Sequence, residues 1–200
     1  RIENLLDDNS FVEIGAYVKA RNTDFNIQAK DTPSDGVITG YGVINGGLVY
    51  VYSQDASVLG GSVGEMHAKK IASLYDMAMK TGSPVIGLID STGLRLQESV
   101  DGLNAFGQIY MKQSLASGVI PTVTAIFGNC GGGLSIVAGL SDFTFMEVEN
   151  AQLFVNSPNA ITENRKEICD NASAKFQSEE AGNVDFVGTE AEVIEGIRNL

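Results

Sequence analysis

The run Cys130-Gly131-Gly132-Gly133 constrains this chain more than any other stretch. It lies between an apolar run, Val119 to Phe127, and a second one that starts at Leu134. Three adjacent glycines bring no side chain to a core, and glycine loses the most backbone entropy on folding. What they allow is close approach to the backbone and exposure of its N–H groups. At a strand-to-helix turn those groups also feel the positive end of the helix dipole. Such a turn suits a developing oxyanion, the charge that appears on a thioester enolate or a tetrahedral intermediate. A glycine turn packed tightly on a neighbour looks the same in sequence, so the run alone does not separate the two.

The surrounding pattern is α/β. Val37 to Ile44 and Leu48 to Gln54 are rich in β-branched and aromatic residues, and Asn45-Gly46 between them predicts a tight hairpin. Ser62 and Glu65 have capping-box spacing, and Ile71, Leu74, Tyr75 and Ala78 share one helical face before Gly82 and Pro84 stop the helix. Val85 to Ile89 is wholly apolar, as expected of a strand covered on both faces. Asp90-Ser91-Thr92-Gly93 is the turn after it, and a helix follows from about Gln97 to Ala116, closed by Gly118. A strand from Val123 to Phe127 enters the glycine run, and a short helix spans Leu134 to Leu140. Further short strands are expected at Phe143–Met146 and Leu153–Val155. Residues 163–183 are polar and weakly patterned, and Glu190 to Leu200 reads as a helix that continues beyond the chain. At the amino end a short helix ending near Asn9 precedes an extended arm, and residues 22–35 read as a surface loop.

Strand–helix units of this kind define one α/β domain over residues 1–200. Its parts are a helix and arm (1–35), a core (36–162) and a less regular carboxy-terminal part (163–200). One event occurs twice: an apolar strand ends, a small-residue turn follows, and a helix begins. It happens at Asp90 to Arg95 and at Gly128 to Gly133. Ligands of open α/β sheets sit at such turns, and two of them side by side make the walls of one pocket.

Composition removes several function classes. A net charge of −12 argues against nucleic acid, and it means that a phosphate-bearing ligand needs local cations or backbone N–H groups. No window holds the ~18 uncharged apolar residues of a membrane span, and the start of the chain carries no basic-then-apolar secretion signal. Two cysteines, Cys130 and Cys169, and one histidine, His67, do not make a four-ligand zinc site, so no metal is expected. A reduced, cytoplasmic setting follows.

Each candidate side chain has two readings. Gly60-Gly61-Ser62 precedes a helix and either cradles a phosphate or simply caps that helix. Lys69 and Lys70 either neutralise phosphates or form a solvated face. Arg95 pairs with a ligand carboxylate or phosphate, or with Glu98 one turn on. His67 is a general base or part of a hydrogen-bond network. Cys130 is a small buried residue beside the turn, or a nucleophile with His67 as its base. Asp142 begins a strand and is a candidate to orient the glycine turn.

A family resemblance enters with Asp35-Gly36-Val37-Ile38-Thr39-Gly40-Tyr41-Gly42, followed in order by Gln54-Asp55, Gly60-Gly61-Ser62-Val63-Gly64-Glu65-Met66-His67, Lys70-Ile71, Pro84-Val85-Ile86, Asp90-Ser91, Arg95-Leu96-Gln97-Glu98, and Cys130 with Gly132-Gly133. Over residues 1–162 the chain resembles the amino-terminal, acyl-CoA-binding half of the carboxyltransferase domain of biotin-dependent acyl-CoA carboxylases and decarboxylases. Leu96-Gln97-Glu98 and Ser135 to Leu140 are also similar to the malonate decarboxylase β subunit, which acts on malonyl carried by an acyl carrier protein. The resemblance implies a crotonase-like spiral of ββα units. It also implies carboxyl transfer to or from a short-chain acyl-CoA, with Gly132 and Gly133 as the oxyanion-hole amides and with Gly93 and Leu94 contributing from the other turn, the one after Val85–Ile89. Gly60, Gly61, Lys69, Lys70, Arg95, Cys130 and Gly131 are then the residues expected around the coenzyme A thioester. The base implied is the ureido nitrogen of biotin, carried in carboxylated form on a partner, so no catalytic side chain is required. The expected partners are a carboxy-terminal half or subunit, a biotin carboxyl carrier protein, and further copies in a homo-oligomer. A shortened chain and a natural subunit both fit this picture. Thr92-Gly93-Leu94 departs from the two glycines and an alanine of the family. Thr92 resists a positive φ, and Leu94 is expected to narrow the acyl pocket. A non-catalytic assembly domain is the contrasting reading of that departure.

Overall fold

The computed structural model describes residues 1–21, 31–157 and 170–200. Cys169 and part of the 22–35 loop lie outside them. One eight-stranded mixed sheet organises the described residues. The amino end supplies helix α1 (Ile2–Leu5) and an edge strand, β1 (Val12–Ile14). A hairpin follows, β2 (Val37–Ile44) and β3 (Gly47–Gln54), turned by Asn45 at φ 50° and Gly46 at φ 85°. This pair of left-handed residues is what a two-residue hairpin requires. Parallel strands β4 (Val85–Ser91), β5 (Thr122–Gly131), β6 (Phe143–Glu147) and β8 (Phe186–Gly188) extend the sheet, and β7 (Gln152–Phe154) pairs with the far half of β5. The crossovers are α2 (Glu65–Thr81), α3 (Ser99–Ala116) and α4 (Gly133–Gly139), and α5 (Ala174–Glu179) and α6 (Glu190–Arg198) complete the order.

Strand alternation feeds two cores. Tyr50, Tyr52, Val85, Ile89 and Ile126 face one side and pack with Ile71, Leu74 and Tyr75 of α2 and Phe106 and Ile109 of α3. Val49, Val51, Ile86, Leu88, Val123 and Phe127 face the other and pack with α1 and with Val193, Ile194 and Ile197 of α6. Both faces are covered, which is why β4 reads as an unbroken apolar run. The architecture is mixed α/β, the class that the sequence pattern implies.

Several boundaries differ from the sequence reading: β4 runs on to Ser91, α3 starts at Ser99 and α6 ends at Arg198, and four further differences have a clear physical reason. Helix α1 stops at Leu5, because Asp7 N–H is drawn to the Val43 carbonyl of β2. Helix α2 starts at Glu65, and Ser62 is not its cap. A parallel bridge between Val63 and Leu94 keeps residues 62–64 extended, and the Glu98 carboxylate accepts the Glu65 N–H instead. Strand β5 continues to Gly131, because Asn129, Cys130 and Gly131 pair with Gln152, Leu153 and Phe154. Residues 170–200 are more regular than their polarity suggests: β8 joins the sheet, and α6 carries the capping box that residues 62–65 lack, between Thr189 and Glu192.

Candidate active site

The two small-residue turns meet at the carboxyl ends of β4 and β5. Ser91 pairs with Cys130, and a Cβ built on Gly93 would lie 3.5 Å from the Gly131 carbonyl oxygen. In the first turn most amides are committed. Thr92 N–H donates to the Gly60 carbonyl at 2.9 Å, Gly93 N–H to Ser91 Oγ at 3.1 Å, and Arg95 N–H to the Val63 carbonyl at 2.9 Å. Leu94 N–H has no acceptor among the described residues. In the second turn Gly132 N–H donates to the Phe154 carbonyl at 3.0 Å, and Ser135 N–H to the Gly132 carbonyl at 3.2 Å. Gly133 and Leu134 N–H have no acceptor among the described residues. Leu134 is buried, whereas Leu94 and Gly133 are both half-buried. Each turn therefore carries one uncommitted N–H on a half-buried residue, Leu94 in one and Gly133 in the other.

This corrects one assignment: Gly132 is not a donor, because its own N–H closes its turn, and the Gly93 N–H is likewise taken up by Ser91 Oγ. Their part is conformational. Gly132 sits at φ 60°, ψ −125° and Gly93 at φ 93°, and such backbone favours glycine. Gly132 fixes the plane of the peptide that carries the Gly133 N–H. Thr92 is not among the positive-φ residues, so its β-branch costs nothing there. Leu94 does not fill the pocket as expected: its Cδ1 occupies the notch left by Gly102 of α3, only 2.9 Å from where a Cβ would stand.

The expected coenzyme-contacting side chains are mostly internal. Arg95 is 1% exposed. Its Nη1 donates to Asp35 Oδ1 at 2.6 Å and to Glu98 Oε1 at 2.8 Å, and Nε and Nη2 donate to the hydroxyl and carbonyl of Ser62. Glu98 was foreseeable from spacing. Asp35, 60 positions before Arg95 in the chain, was not, and only its place in the quoted motif pointed to it. Lys70 Nζ donates to the carbonyls of Ser34 and Val37, and burial lowers its pKa to about 8. Lys69 lies at the surface and pairs with Glu65 at 2.7 Å. Gly60 and Gly61 do not front a helix. Both have positive φ, and a Cβ would meet Thr92 at Gly60 and the Asp90 carbonyl at Gly61, so backbone and space each call for glycine.

Cys130 and His67 do not form a nucleophile–base pair. The Cys130 thiol lies in the core, where burial pushes its pKa up to about 12. His67 is fully buried in a different network. Its Nδ1 faces the Asp35 carbonyl oxygen at 2.9 Å, which only accepts, so Nδ1 carries the proton and Nε2 accepts from Gln54 at 3.1 Å. Gln54 Oε1 in turn accepts from Asp90 N–H at 3.3 Å. Burial drives the His67 pKa down to about 3, helped by the Arg95 and Lys70 charges and opposed by its bond to Asp35. Burial raises the Asp35 carboxyl above its usual range, although Arg95 works against this. Asp142 serves the other end of β5, accepting from Thr122 N–H at 2.7 Å, and does not touch the glycine turn. Gly131 has no room for a Cβ, which would fall 2.5 Å from the Phe154 ring.

The family description "Carboxyl transferase domain" matches residues 1–200, and the chain belongs to that family. It is 47% identical over 161 residues to the methylmalonyl-CoA decarboxylase subunit alpha of Propionigenium modestum, covering 80% of this chain and 31% of that one. It is equally 47% identical over 161 residues to the propionyl-CoA carboxylase beta chain of Roseobacter denitrificans, covering 80% of this chain and 32% of that one. The transcarboxylase 12S crystal structure with methylmalonyl-coenzyme A bound superposes with a TM-score of 0.91 at 35% identity, over 98% of this chain and 39% of that one. A Pseudomonas malonate decarboxylase hetero-tetramer in complex with malonate gives a TM-score of 0.84 at 25% identity, over 99% and 77%. The chain thus spans about a third of the length of the curated relatives named here. No helix among the described residues is long and apolar enough to cross a membrane.

Two measurements test the buried network. Arg95→Met leaves Asp35 and Glu98 as uncompensated buried carboxylates and should cost ~3–5 kcal/mol in urea unfolding. Unchanged stability with a raised KM would instead make Arg95 a substrate contact. The second is a pH dependence. The folded pKa of His67 lies below its unfolded value of 6.5, so the unfolded chain binds the extra proton between them. Its contribution is complete above that unfolded value and is lost as pH falls towards the folded one. Between pH 7.5 and 5 this amounts to ~2 kcal/mol. His67→Gln should lose less stability than the parent across that interval, by about this amount, in paired denaturant titrations.

Proposed function

We propose that this chain is the acyl-CoA-binding half of a biotin-dependent carboxyltransferase or decarboxylase. The observation that carries this reading is the pair of uncommitted N–H groups, Leu94 and Gly133, on adjacent walls. Removing a proton or CO₂ from the α-carbon of an acyl thioester moves negative charge onto the thioester oxygen. Two fixed N–H donors aimed at that oxygen lower the barrier, by roughly 3–4 kcal/mol for one good donor. Backbone donors held in closed turns need no reorganisation as the charge develops. The names of the relatives at 47% identity favour an acyl-CoA of the propionyl or methylmalonyl size over malonyl on a carrier protein, where identity falls to 25%. The family departure at Thr92 and Leu94 leaves the turn closed and its N–H free, which speaks against a degenerate assembly domain.

In this reading both open donors serve the thioester oxygen, and the carbonyl of biotin is assigned to the partner half. Carried there by a carrier protein, it supplies or takes up the carboxyl group. The residues of this chain bind, orient and polarise the thioester. A reduced cytoplasmic setting suits such an enzyme.

The same reading places the partner half on α3. Its inner face is buried through Ala105, Phe106, Ile109 and Gln113. Its outer face exposes Val100, Leu103, Met111 and Leu115, preceded by Leu96, which is 76% exposed. An apolar stripe of this length, beside the site, is a protein–protein surface. Such a contact also fits the hexamer of transcarboxylase 12S.

Two outcomes are expected in the full-length enzyme. Gly132→Ala meets no steric neighbour, yet its backbone is glycine-only, so stability should fall by ~1–3 kcal/mol. Turnover should fall ~100-fold as the Gly133 N–H swings away. Near-normal turnover with propionyl-CoA would remove Gly133 from the site. Leu103→Glu should lower the sedimentation coefficient of the assembly while leaving the far-ultraviolet dichroism unchanged, and an unchanged assembly would move the partner elsewhere.

A further inference from the structure

We infer that Tyr110 is a positioning residue for the thioester oxygen, acting through the Gly133 carbonyl. The inference rests on the donor role of Gly133 proposed above. Helix α4 has seven residues. A helix this short does not hold its own first turn in water, so something else must fix the peptides at Gly133. That something is α3. Along its inner face Phe106, Tyr110 and Gln113 fall on one stripe. Tyr110 Oη donates to the Gly133 carbonyl at 2.8 Å, and Gln113 Nε2 donates to the Val137 carbonyl at 2.9 Å. The two acceptors lie one turn apart on α4, so α3 grips α4 at its first residue and again a turn later.

Gly133 is shaped to this contact. A Cβ there would lie 2.6 Å from Tyr110 Oη and 3.0 Å from the Phe106 ring. The two rings pack at 5.9 Å between centroids, tilted by 40°, which holds the phenol in place. Tyr110 is therefore the side chain that restrains the peptide following Gly133, while Gly132 sets the peptide before it. Together they aim the Gly133 N–H. A phenol is protonated at neutral pH and so can donate, and partial burial raises its pKa further. The Gln113 anchor and both rings survive loss of the hydroxyl, so α4 stays docked without it.

Tyr110→Phe in the full-length enzyme, assembled with its partners, separates this role from packing. The expected result is a kcat about tenfold lower, as for a modest misplacement of a reacting group, with the KM for propionyl-CoA unchanged and the melting temperature lower by no more than a few degrees. Infrared spectra of bound propionyl-CoA carrying an isotope-labelled thioester carbonyl give a second readout. The parent should pull the carbonyl stretch to lower frequency, and the variant should pull it less. Unchanged kcat, or a loss carried by KM alone, overturns the role of Tyr110. Equal shifts in parent and variant overturn it too, while leaving Gly133 as donor. No shift in the parent overturns the donor reading and this inference together.

Discussion

The buried guanidinium of Arg95 is the interaction on which the site depends. It joins segments far apart in the chain: the turn at Asp35, the extended residues 62–64, and the short helical turn at Leu96–Glu98. An ion pair in the interior costs its partners their hydration, and it is a weak source of net stability even when well made. What it supplies here is position. The backbone of the same residue donates to the Val63 carbonyl, and the Val63 N–H donates to the Gly93 carbonyl. Leu94 is thus caught between two bonded neighbours. Its side chain turns onto Gly102, and its N–H is the one left over. Glu98 uses its second oxygen on the first amide of α2. One charged cluster therefore sets both the start of a helix and the open donor of the first turn.

The second turn is held by different means. Helix α4 is too short to contribute much of a dipole, and the glycine run is not a loose loop. Gly131 lies in a strand ladder against Phe154, and Gly132 closes that ladder with its own N–H. The glycines serve three separate needs: space for the Phe154 ring, a left-handed backbone, and room for Tyr110 Oη. Each would be met by one glycine, and their adjacency is what made the run conspicuous.

Much of the fold was legible because local pattern and tertiary outcome agree. The alternation in β3 and the apolar run of β4 follow directly from a sheet covered on both faces, and Asn45-Gly46 turned as its chemistry requires. The misreadings share one cause, a contact distant in sequence that overrode a local signal. Ser62 and Glu65 have the spacing of a capping box, but bridging to Leu94 holds that segment extended and Glu98 supplies the cap. Strand β5 ends at Phe127 by hydropathy, yet β7 extends it to Gly131. Arg95 and Glu98 were visible as an i, i+3 pair, whereas Asp35 could not be joined to them by any spacing rule. Lys70 looked like half of a solvated pair with Lys69, and only the carbonyls of residues 34 and 37 turn it inward.

The site itself was legible in kind and not in detail. Sequence can show that side-chain-free turns end two adjacent strands. It cannot show which amides in those turns remain unbonded, because that depends on acceptors brought from elsewhere: Ser91 Oγ for Gly93, the Phe154 carbonyl for Gly132. Backbone catalysis is in this sense defined by subtraction. Every N–H in a buried turn must find an acceptor or bear a desolvation cost of roughly 1–3 kcal/mol. On the proposed reading, the N–H left open in each of the two turns is the one from which a thioester oxygen accepts as it gains negative charge.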